Sequence, residues 1–257
     1  MDILVNDFIR GFLVFLRIAA ILFTVPVFSQ TVVPVISRLF LSIIITYMIM
    51  FSIHDFNYDV EMGLIPLAII GIKEMLTGII IGFSLNFVFY GFSYAGLLIG
   101  NDMGLGAASM FDMNSEAESN IIGSVLSLVA TLVFILINGH HFIISALGIS
   151  FKLIPLGHYS VNGEVVSLLI KYAGGIFIIA VKISAPIIVS FFLLNVASGV
   201  MARVIPQMQI LFVMFPLKIG LGFLLLSTLI PAYVYIMKSL LVDYEDKLLT
   251  LIKAMST

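Results

Sequence analysis

The chain has 257 residues, 61% of them hydrophobic and only 10% charged, with a formal net charge of −2. That balance lies far outside the range of soluble domains, and it lacks the basic footprint of a nucleic-acid binder. There is no cysteine, so disulfides, zinc–thiolate sites and thiol catalysis are excluded.

The first apolar run spans residues 8–28. Asp2 and Asp7 precede it, where a cleavable secretory signal would carry positive charge, so it reads as a retained membrane segment. Further runs lie at 39–53, 63–100, 121–137, 165–201 and 204–237, and the shorter stretch 141–154 reads as a half-span. The runs 63–100 and 165–201 are too long for one crossing. Some 38 helical residues reach roughly 57 Å, against a hydrocarbon core of roughly 30 Å. Each is therefore either two helices with a tight turn or one helix projecting beyond the bilayer, with Gly91 and Pro186 as the points of weakness. Hydropathy predicts about six spans, plus or minus two. Tryptophan is absent, so any interfacial belt falls to Tyr and Phe.

The polar connections are short. Residues 54–61 are acidic, and residues 101–120 hold Asp102, Asp112, Glu116 and Glu118 without a Lys or Arg. The positive-inside rule places both on the non-cytoplasmic side, which requires an even number of crossings between them. Glycines recur at four-residue spacing, at Gly78 and Gly82 and again at Gly96, Gly100 and Gly104. On a helix this spacing lets another backbone approach closely, either in ordinary intramembrane packing or in tight docking of subunits. The tail, residues 238–257, mixes Leu and Ile with Asp, Glu and Lys and reads as an amphipathic helix on a partner or on the membrane surface. No linker divides the chain, so residues 1–257 read as a single integral membrane domain.

Lys73, Glu74, Lys182, Arg203 and Lys218 interrupt the apolar runs. A charge at mid-bilayer costs at least about 2.5–3.5 kcal/mol, so these groups should face protein or water within an assembled, polar-cored membrane object. No Walker-type glycine loop, helical zinc motif or nucleophile elbow is present, which argues against an enzyme. His140 and His141 are adjacent and would point about 100° apart on a helix, poorly placed to share a metal.

Two constellations remain. In residues 203–220, Arg203 and Lys218 bracket Pro206, Gln207, Gln209 and Pro216. Two prolines ten residues apart would break a helix twice, leaving either a kinked span with a snorkelling Arg or a broken element set against partner subunits around an aqueous path. Residues 100–114 combine flexible glycines with Met103, Met110 and Met113 around Phe111. Unbranched methionines can seal against a variable surface, though an ordinary loop has the same composition.

At these residues the chain resembles the FliR family of flagellar export-gate proteins, related to the SctT proteins of virulence type III secretion. The resemblance runs through Arg17, Pro26, Phe28, Pro34 and Arg38. It continues at Gly78, Gly82, the 100–112 stretch, Asn138-Gly139-His140-His141, Ile154-Pro155-Leu156-Gly157 and Ala185-Pro186, and ends with the 203–222 block. One departure is Met113, where the family often has Pro. The resemblance implies an all-α integral membrane protein of long helical hairpins with broken helices, part of a helical or ring-like hetero-oligomer. It implies FliP-like and FliQ-like partners around a pore for unfolded flagellar subunits, an FlhB-like subunit at the cytoplasmic entrance, contact with membrane lipid, and a place in the inner membrane at the flagellar basal body. It implies no cofactor, metal or catalysis. By the same resemblance, Gly104, Gly106, Met110, Phe111 and Met113 belong to a pore plug. Subunit contacts are expected at Lys73, Glu74, Gly78, Gly82, Arg203, Pro206, Gln207, Pro216 and Lys218. The alternative from another class is a small-molecule or ion secondary transporter, with Lys73, Glu74 and Lys182 as an intramembrane site. The two related halves usual in transporters do not align here.

Overall fold

The longest apolar runs form single uninterrupted helices. The computed structural model describes residues 2–25, 27, 33–52, 63–105, 120–159, 162–205 and 210–256. Among these, the elements are α1 (Asp2–Thr24), α2 (Val35–Ser52), α3 (Leu64–Met103), α4 (Ile121–Leu136), α5 (Gly139–Leu153), α6 (Gly163–Val204) and α7 (Ile210–Met255), with no strand among the described residues. Helices α3, α6 and α7 have 40, 42 and 46 residues, or roughly 60–70 Å each at 1.5 Å per residue. This is an all-α membrane protein.

Among the described residues, three helices are long and apolar enough to span a bilayer, and α4 with α5 makes a fourth if the pair counts as one broken span. Four spans is the lower edge of the six, plus or minus two, expected: α1 carries Asp2, Asp7, Arg10 and Arg17, and α2 is short. Residues 64–103 form one continuous helix, not the helix pair that two crossings would need. Pro186, Pro216 and Pro231 lie inside helices. A proline well inside a helix removes one backbone bond, and at Pro186 and Pro216 that loss falls on an exposed face. The backbone instead turns at positive φ, at Gly104 (83°), Asn138 (62°) and Gly157 (77°), where residues without a Cβ, or with a short amide side chain, are tolerated.

The chain divides into two compact units. Unit 1 comprises Met1–Phe87, Asn138–Tyr172 and Val242–Thr257; unit 2 comprises Val88–Ile137 and Ala173–Leu241. In unit 1, α1 and α2 are antiparallel neighbours, with the Arg38 guanidinium 5.2 Å from the centre of the Phe23 ring. Helix α3 runs parallel to α1. Gly71 lies against Leu16, Gly78 against the backbone of Arg17 and the methyl of Ala20, and Gly82 against Thr24. The 71–78–82 spacing keeps one face of α3 bare, so the two backbones approach. Asn86 then donates its amide to the Thr24 carbonyl at 2.7 Å. The ends of α6 and α7 meet antiparallel. Asn162 accepts from Val165 N at 2.9 Å, capping α6, and donates to the Ala254 carbonyl at 2.8 Å, while the Tyr172 hydroxyl donates to the Lys247 carbonyl at 3.1 Å. Residues 238–255 continue α7. Their Leu241, Tyr244, Leu248, Leu251 and Ile252 are buried, and Asp243, Asp246, Lys247 and Lys253 are exposed.

In unit 2, α3 packs on α4 and α6. Gly96 abuts the backbone of Gly123, and Phe89 meets Phe134 edge to face at 5.8 Å. Gly91 lies on Ile179 and Tyr94 on Phe177. Asn120 caps α4 by accepting from Gly123 N at 2.9 Å, and donates to the Ser93 carbonyl at 3.3 Å.

Candidate functional site: a buried charge cluster and a helix-end anchor

In unit 1, Arg17 at the middle of α1 and Glu74 in α3 form an ion pair, Nε to Oε2 at 2.6 Å, with both side chains fully buried. The parallel α1–α3 contact creates it, because Gly78 one turn beyond Glu74 lets the backbone of Arg17 come close. The turn after α5 completes the cluster. Gly157 N donates to the other carboxylate oxygen at 2.8 Å, and Lys73 Nζ donates to the Gly157 carbonyl at 3.2 Å. Arg17 Nη1 donates to the carbonyls of Ser150 (3.2 Å) and Ile154 (3.1 Å) at the end of α5, and the guanidinium lies over the Phe151 ring at 4.3 Å. Arg17 Nη2 has no partner among the described residues. Taking two charges out of water is expensive and is offset only when geometry and extra hydrogen bonds are good. Here both carboxylate oxygens are used. Lys73 and Glu74, adjacent in sequence, hold the carbonyl and the amide of one residue, Gly157.

In unit 2, the last residues of α3 rest on one face of α7. The Met103 side chain covers Gly222, and Gly104 lies under the Phe215 ring, whose nearest carbon is 2.7 Å from where a Cβ would stand. Lys218 lies between them on that face, half-buried. Two stretches separate in sequence, the end of α3 and the Phe215-Pro216 block, are thereby joined.

Among the described residues, no group of three or more His, Asp or Glu could hold a metal. The His140 and His141 rings lie 4.2 Å apart at the start of α5.

Comparison with known proteins gives the context. Residues 8–243 match the family described as bacterial export proteins, family 1. The chain belongs to that family. Among its relatives, the flagellar biosynthetic protein FliR of Escherichia coli K12 is 31% identical over 216 residues, 84% of this chain and 82% of that protein. FliR of Bacillus subtilis is 30% identical over 229 residues, 88% of each chain, and FliR of Aquifex aeolicus is 28% identical over 230 residues, 90% of this chain and 88% of that one. This FliR-family export protein is a membrane-embedded component of flagellar biosynthesis.

Its sequence-expected site residues have different surroundings. Lys73, Glu74, Gly78 and Gly82 are engaged inside unit 1, as described above. Gly104, Pro216 and Lys218 belong to unit 2, where Gly104 and Lys218 join the anchor and Pro216 is exposed. Arg203 and Lys182 are exposed on α6 and make no ion pair or hydrogen bond among the described residues. Gly106, Met110, Phe111, Met113, Pro206 and Gln207 lie outside the described residues. Sequence reasoning gave Arg17 no chemical role. Its signal was present, since an arginine midway along an apolar run demands an acceptor, and Glu74 demands a donor.

Proposed function

We propose that this protein is a structural, non-enzymatic subunit of the flagellar type III export gate, which with FliP-like and FliQ-like subunits forms the pore for unfolded flagellar proteins. An FlhB-like subunit stands at its cytoplasmic entrance, and the assembly sits in the inner membrane at the basal body. The observation that carries this reading is the family match along residues 8–243. The large apolar residues exposed along α2, α6 and α7 support it, because surface of that kind must be covered by lipid or by other chains. Arg203, with Pro206, Gln207, Pro216 and Lys218, belongs to the subunit contacts, and Met110, Phe111 and Met113 to the pore seal. The α7 face that holds Gly104 fixes the chain just before the seal. Against the transporter alternative weighs Glu74, which is fully buried with its oxygens taken by Arg17 and Gly157.

The test is conductance of the assembled gate in membranes. Met110→Ala together with Phe111→Ala raises ion leak at unchanged complex yield. Unchanged conductance contradicts the seal, and a purified chain that alone transports a solute into liposomes contradicts the gate.

A further inference from the structure

Between α1 and α2 in unit 1 lies a groove of about 500 Å³. Phe8, Phe12 and Phe15 form one wall, and Ile43, Tyr47 and Met50 the other. Both walls repeat at three to four residues, the period of a helix face. Thr46 adds no free polarity, because its hydroxyl donates to the Ser42 carbonyl at 2.7 Å. Gly11 forms part of the lining, and a Cβ placed there would meet no atom within 4 Å. The α1 backbone is therefore open to close approach from outside. Asp7 stands at one end with its side chain 57% exposed, only loosely paired with Arg10 at 3.9 Å.

We propose that this groove receives an apolar helix of another membrane protein, with a small residue crossing at Gly11 and a Lys or Arg beside Asp7. A helix seats in such a groove through anchors at three- and four-residue spacing, and a bare glycine permits the close crossing typical of membrane helices. A phospholipid would fill the apolar walls, but its phosphate would stand beside the Asp7 carboxylate. Charge thus favours a cationic helix end over a lipid headgroup. The inference rests on the hetero-oligomeric reading above and adds to it the place on this chain where one partner helix docks.

The experiment is co-purification of the chain, in mild detergent, with the co-expressed subunits of the proposed gate. Gly11→Phe puts a ring into the groove from a Cβ that meets no atom within 4 Å. It should leave membrane level and melting temperature unchanged and reduce recovery of partners by at least about tenfold, as expected for loss of a packed anchor. Asp7→Lys should reduce recovery less, and Asp7→Glu should restore it. Full recovery with Gly11→Phe overturns the proposal. So does native mass spectrometry showing that the only molecule expelled by Gly11→Phe is a phospholipid or a second copy of this chain. If the unaltered chain recovers no partner at all, the hetero-oligomeric reading falls first and takes the groove's occupant with it.

Discussion

In unit 1 the buried charges Arg17 and Glu74 find each other, and Lys73 finds a backbone carbonyl, all within one chain. In unit 2, Lys182 and Arg203 stand exposed on an apolar helix and make no such bond among the described residues. Glycines show a related contrast. Those of α3 press on neighbouring backbone or side chains at Gly78, Gly82 and Gly96, whereas Gly174, Gly175 and Gly199 of α6 have open space around them. One set of features holds the chain together. The other is left over after folding, and in a membrane protein of an export assembly it is the surface available to other molecules.

Breaking the buried pair should have the largest effect. Arg17→Ala or Glu74→Ala strands the opposite charge and should cost about 3–5 kcal/mol, read as a lower melting temperature in detergent and less chain in the membrane. The double variant Arg17→Met with Glu74→Leu should recover most of the loss, because an apolar pair of similar volume is tolerated. If the double variant is as unstable as either single one, the cluster does more than satisfy its own charges. Next in size, Gly96→Leu drives a side chain into the Gly123 backbone and should cost about 1–3 kcal/mol, while Gly199→Leu should stay within about 0.5 kcal/mol on the same melting assay.

Much of this was legible in the residues. The apolar runs located the seven helices found among the described residues, because burial and lipid impose the same composition on them. The one-helix or two-helix question stayed open, since Gly91 and Pro186 resemble breaks while their surroundings hold the helix intact. At the site, Lys73 and Glu74 were recognised as costly, but their partners were not. Gly157 lies 83 residues from Glu74 in sequence, and only the parallel packing of α1 on α3 reveals that Arg17 is within reach. The contact of Gly104 with Phe215 likewise joins two stretches that no local pattern connects.

A smaller effect separates fold from function at Tyr159, whose hydroxyl is buried without a partner among the described residues. Tyr159→Phe should be neutral or stabilise by up to about 1 kcal/mol, since an unsatisfied hydroxyl costs free energy on burial. Burial also pushes the Tyr159 phenol above its ordinary value near 10. The unfolded chain then ionises first, so this residue's contribution to stability falls as pH rises past about 10. Tyr159→Phe should remove that part of the alkaline loss in a melting series against pH.

The smallest effect on the chain itself should come from Arg203→Ala, within about 0.5 kcal/mol, although recovery of the assembled complex should drop. The most direct test is a map of the complex purified from membranes, read at Arg203 and Lys182. The account predicts that both cations lie against acceptor groups of another polypeptide, while Arg17 and Glu74 keep each other. Cations that face only lipid headgroups or water, with the chain fully functional alone, would contradict it.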